Sequence, residues 1–84
     1  MSDGGEPDPA AYLRALGKRI RLLRLTQELS QAELAEAAGM SRSFISLIEH
    51  GTHGVDVVRL LRLAAALGVP LEDLLRDPAT GREP

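Results

Sequence analysis

Apolar residues recur along this chain at spacings of three and four, without the strict alternation that marks a strand. Leu13, Leu16, Ile20 and Leu23 fall on one stripe, as in a helix that turns a single face to a core. Thr26, Gln27 and Glu28 interrupt the pattern. Ser30, followed three residues later by Glu33, is a capping box that opens a second helix, with Leu29 and Leu34 placed as a hydrophobic staple. Gly39, just past Ala38, ends that helix where a left-handed backbone costs a glycine little. Met40, Ser41 and Ile45 repeat the order of staple, N-cap and staple for a third helix, which runs to Glu49 or His50 and stops at Gly51. After the loop GTHGV, Asp56 is the expected N-cap of a fourth helix whose apolar stripe is Leu60, Leu63, Ala64 and Leu67. Gly68 closes it, and Pro70 suits the first turn of a short fifth helix carrying Leu71, Leu74 and Leu75. The expected fold class is all-α, with five helices.

Residues 1–9 and 77–84 combine Pro, Gly and charge with little to bury, and are expected to be flexible tails around one domain at 10–76. In 84 residues the only aromatic side chains are Tyr12 and Phe44 and there is no cysteine. The core must therefore be aliphatic, and disulfide or cysteine-ligated zinc frameworks are excluded. A domain this small buries only about 60% of its unfolded surface, so a partner subunit would help to stabilise it. The opening MSDGGEPDP is acidic where a secretory signal would be basic and then apolar, and no apolar run is long enough to span a bilayer. A cytoplasmic location is the resulting expectation, with no membrane partner.

The formal net charge is −2, yet residues 10–27 hold five basic side chains, Arg14, Lys18, Arg19, Arg21 and Arg24, and no acidic one. Because screening confines exposed charges to a reach of about 8 Å at physiological salt, a local basic face can act despite an acidic total. An ordinary solvated helix face accounts for the same residues.

The stretch SQAELAEAAGMSRSFISLIEHG is two short helices about a glycine turn, the outline of a helix-turn-helix. Leu34, Ala35 and Ala38 can face Ile45 and Ile48, and the small Ala35 lets the two axes approach. At 100° per residue, Ile45 and Ile48 share one side of the third helix while Ser43, Ser46 and Leu47 turn to the other.

Residues 13–75, about three quarters of the chain, resemble the lambda-repressor-like family of Cro, C1 and xenobiotic-response-element-type regulators. The resemblance rests on ALGKRIRLLR, LSQAELAEAAGMSRSFISLIEHG and LLRLAAALGVPLEDLL, in the family's order and spacing. It implies a compact five-helix domain with the helix-turn-helix at helices two and three. It also implies that the third helix enters the major groove, and that a homodimer reads a two-fold double-stranded DNA operator. Gln31 matches a position that holds a phosphate or buttresses the recognition helix. Arg42, Ser43 and Ser46 match positions that face bases or backbone. Arg24 and Glu49 match a pair that joins helix one to the recognition helix, which could also bring Arg24 close to phosphate.

Phe44, on the flank of the buried side, reads first as packing and second as a contact to the sugar-phosphate backbone. Leu47 departs from the polar residue common at its position. It could touch a thymine methyl, meet a partner protein, or lie under the chain's own loop. Thr52 opens a loop that lacks the basic residues and proline of many relatives, which weakens the case for phosphate contacts there. Leu71, Leu74 and Leu75, with the end of the fourth helix, could form the dimer interface or close the monomer core.

Other chemistries find little support. His50 and His53 stand three apart, but no cysteine or carboxylate at fixed distance joins them as a zinc site requires. Ser41, Ser43 and Ser46 lack a paired base and orienting acid, and no glycine-rich phosphate loop follows a strand, so neither catalysis nor a cofactor is expected. The short chain suggests a stand-alone regulator, such as a restriction-modification controller or a plasmid or phage repressor. Any small-molecule effector stays unspecified. The alternative is a protein-interaction module of the same fold, antitoxin-like or scaffolding, which the acidic tail and Leu47 motivate.

Overall fold

The computed structural model describes residues 8–76. The flexibility expected of residues 1–7 and 77–84 lies outside that range. Five helices follow one another, α1 (Pro9–Thr26), α2 (Gln31–Ala38), α3 (Arg42–His50), α4 (Val57–Leu67) and α5 (Leu71–Leu75), with no strand among the described residues.

The caps explain the boundaries. Ser30 and Glu33 form the expected reciprocal box, with the Ser30 hydroxyl accepting from the Glu33 N–H and the Glu33 carboxylate accepting from the Ser30 N–H. Ser41 caps α3 by accepting from the Phe44 N–H at 3.1 Å, and Asp56 caps α4 by accepting from the Arg59 N–H at 2.8 Å. Gly39 takes φ 71°, ψ 39°, a left-handed geometry that glycine adopts without a Cβ penalty and that turns the chain sharply from α2 into α3.

Two boundaries differ from the sequence pattern. Pro9 opens α1, where its missing N–H is no loss, and Asp8 just before it is the N-cap, its carboxylate accepting from the Ala10 N–H. Pro70 is the N-cap of α5 and stands one residue outside the helix.

The core is Ile20 of α1, Leu34, Ala35 and Ala38 of α2, Ile45 and Ile48 of α3, Leu63, Ala64 and Leu67 of α4, and Leu74 of α5. Leu29 and Met40, the two staple residues, pack against its edge. Of the residues expected to form either the dimer surface or the core, Leu74 is buried, Leu71 packs against the core and Leu75 is 43% exposed. The fifth helix therefore closes the monomer, because Leu74 is the side chain that caps the space between α1 and α4.

Candidate nucleic-acid interface

The site is built around α3. Ile45 and Ile48 are 0% and 1% exposed and anchor one side of this helix, while Arg42, Ser43 and Leu47 stand on the surface and Ser46 is half-buried beside them. Leu47 is 40% exposed, so the chain's own loop does not cover it. At the same end lie the first N–H groups of α3, which no preceding turn can satisfy and which favour an anion.

Two devices fix the attitude of α3. The first is a buried ionic network. Arg24 of α1 donates from Nε and Nη2 to the two carboxylate oxygens of Glu49 at 2.6 and 3.0 Å, and from Nη1 to the Leu29 carbonyl at 2.8 Å. Gln31, at the start of α2, donates from Nε2 to the same carboxylate at 3.1 Å. One side chain of α3 is thereby tied to both α1 and α2. The hydrogen bond to Glu49 holds the Arg24 guanidinium above its ordinary pKa, against the opposing effect of burial, so the guanidinium stays charged.

The second device is a close helix crossing. A Cβ on Gly17 would lie well inside contact distance of the Ile48 carbonyl oxygen and 2.7 Å from that of Glu49. Only the absence of a side chain lets α1 lie directly on the last turn of α3. Gly51 makes a similar approach from the other side, where a Cβ would come within 2.7 Å of the Arg14 Cα.

Arg24 is 8% exposed and its guanidinium is engaged inside the domain with Glu49 and the Leu29 carbonyl. Gln31 buttresses Glu49 and remains half-exposed at the α2 start. Phe44 takes the packing role. Its ring meets His53 edge-on, with centroids 6.0 Å apart, and lies 5.2 Å beneath the Arg59 guanidinium carbon. Thr52 is exposed and finishes α3 by donating from its N–H to the Leu47 carbonyl at 3.4 Å. The His50 ring nitrogen Nδ1 lies 2.7 Å from the Ser46 carbonyl. Among the described residues no group of three His, Asp or Glu side chains could hold a metal ion.

Gly17 and Arg59 were not singled out by the sequence pattern. Gly17 left a trace, since a glycine inside an otherwise regular helical stripe calls for a packing reason. Arg59 left none, because its partner Phe44 lies fifteen positions away.

A helix held at its last turn by α1 and at its carboxylate by both neighbours, with its other side presented to solvent, defines a helix-turn-helix domain of the Cro/C1 type. The chain belongs to the helix-turn-helix family HTH_3, whose pattern it matches over residues 20–74. It is 33% identical over 72 residues to a hypothetical transcription factor of Neisseria meningitidis, an alignment covering 86% of this chain and 68% of that protein. The restriction-modification controller protein C.AhdI from Aeromonas hydrophila superposes with a TM-score of 0.73 at 39% identity, over 74% of this chain and 94% of the other. SinR, the master regulator for biofilm formation, solved in complex with DNA, superposes with a TM-score of 0.69 at 34% identity, over 71% and 97%.

Proposed function

We propose that this protein is a sequence-specific DNA-binding transcriptional regulator that inserts α3 into the major groove and acts as a homodimer on a two-fold operator. The observation that carries the reading is the division of α3 into an anchored side, Ile45 and Ile48, and a presented side, Arg42, Ser43 and Leu47. A helix so divided is a stiff probe for a groove about 12 Å wide. Regulation follows from occupancy: bound protein blocks or recruits the polymerase. The similarity to a controller protein and to a regulator solved with DNA supports this reading.

In it, Arg42 reads a base edge, Ser43 and Ser46 contact base or backbone, and Leu47 touches a thymine methyl. Gln31, next to the α2 N-terminus, reaches a phosphate. Thr52 is the weakest member of the set, since the loop around it carries no lysine or arginine.

The dimer needs a surface other than the buried part of α5. Val57, Val58 and Leu61 on α4 are 63%, 59% and 51% exposed and form one apolar stripe. The stripe begins seven residues after the end of α3. A two-fold contact there would link two recognition helices through the short α3–α4 loop and hold them about 34 Å apart, one duplex turn.

Selection of bound fragments from random duplexes, repeated with Arg42→Ala, tests the reading. The variant should lose preference at one base position, by about 1–3 kcal/mol. Binding should also weaken steeply between low and moderate salt as counterions are released. Equal loss on every sequence would remove Arg42 from the base-reading role. Retention on no duplex at all would favour a protein-interaction module.

A further inference from the structure

Of the basic side chains of α1, Arg24 is engaged with Glu49, whereas Arg14 and Lys18 are exposed. Gly17 turns one side of α1 to α3. Another side meets α5, where Arg19 donates from Nε to the Asp73 carbonyl at 3.0 Å. Beside that second contact runs an open groove of about 500 Å³ between the first half of α1 and the end of α5. Its apolar surface includes Tyr12, 60% exposed, and Leu75, 43% exposed, with Leu16 below them. Arg14 and Lys18, both exposed, line it as well, and among the described residues no carboxylate does.

An apolar floor with a cationic edge selects its occupant. The α1 wall, residues 11–18, is about 12 Å long at 1.5 Å per residue, which matches two turns of a helix laid alongside. A helix in such a groove anchors through apolar residues at i, i+3, i+4 and i+7, and glutamates on its flanks would meet Arg14 and Lys18. A second copy seated groove to groove would bring the cationic edges of both copies together, which costs energy and suppresses that pairing.

We propose that the α1–α5 groove is a docking site for a short acidic amphipathic helix of a partner protein, separate from the DNA-reading side of α3. The DNA-bound protein would then carry a second molecule against α1 and α5, and the inference does not depend on the DNA reading.

The test uses the full isotope-labelled chain and a synthetic fourteen-residue peptide with leucine on one face and glutamate on the other, beside a version with lysine in place of glutamate. The glutamate peptide should move amide signals of residues 11–18 and 74–76, and the lysine peptide should bind at least about tenfold more weakly. Lys18→Glu and Leu75→Glu should each weaken the glutamate peptide about fivefold or more, with helical circular dichroism unchanged. Leu75→Glu should also bind DNA fragments as the parent does, so a failed groove and a failed DNA interface give different results. The proposal is overturned by any of four outcomes: no binding of the glutamate peptide, equal binding of both peptides, signal changes centred on α3 or α4, or conversion of a dimer to a monomer by Leu75→Glu. The last outcome would assign the groove to a second copy.

Discussion

Glu49 is the residue on which the position of the recognition helix turns. It is 9% exposed and receives three hydrogen bonds, two from Arg24 and one from Gln31. Taking two charges out of water costs several kcal/mol each, so such a pair adds little net stability, but removing one partner strands the other. Glu49→Ala should therefore destabilise the domain by about 3–5 kcal/mol, read as a lower urea midpoint. Arg24→Met combined with Glu49→Leu should recover most of that loss while α3, freed from its tie to Gln31, binds DNA less selectively. If the double variant were as unstable as Glu49→Ala, the loss would come from packing and not from an uncompensated charge. The sequence paired these two residues by resemblance, but it did not reveal that the pair is buried or that Gln31 joins it. Both facts depend on how three helices converge.

At the scale of the helices, spacing and capping residues were enough to set where most elements begin and end, because the side-chain N-caps of α1 to α4 each find their partner within three residues. The same local contacts set a pH dependence. The Glu33 carboxyl is held below its ordinary range by the Ser30 N–H, then by the Ser30 hydroxyl. The Asp56 carboxyl is held low first by the Arg59 N–H. Because the folded values are depressed, the unfolded chain binds more protons between the ordinary and the depressed values, and stability falls as the pH drops through that window. Urea midpoints should be level between neutrality and about pH 5 and decline below about pH 4. In the double variant Glu33→Gln, Asp56→Asn the decline should be shallower.

Gly17 illustrates what local reading cannot reach. Glycine to alanine inside a helix ordinarily gains about 1 kcal/mol. Here the added Cβ meets the carbonyl oxygens of Ile48 and Glu49, which are backbone atoms that cannot turn aside. Gly17→Ala should destabilise by about 1–3 kcal/mol, as overpacking does, and a thermal melt with a raised midpoint would refute the close crossing.

For the whole molecule, the proposed two-fold contact predicts that the exposed α4 stripe carries the dimer. Leu61→Lys, in the exposed α4 stripe, should shift sedimentation toward the monomer and weaken operator binding, while leaving the melting of the isolated fold within about 0.5 kcal/mol. An unchanged dimer would move the interface elsewhere. The length of the chain pointed to such a partner through surface-to-volume scaling, but not to the face it would cover.

What the sequence determined by itself was the set of five helices, the caps of α2, α3 and α4 and which side of α3 is anchored, since these follow from periodicity and from contacts a few residues apart. Only the tertiary structure decided that Arg24 turns inward, that α5 seals the monomer, that Phe44 lies between His53 and Arg59, and that a cationic groove opens beside α1. Each of these depends on the angles at which helices cross, and those are set by contacts between residues distant in the chain, which no local pattern records.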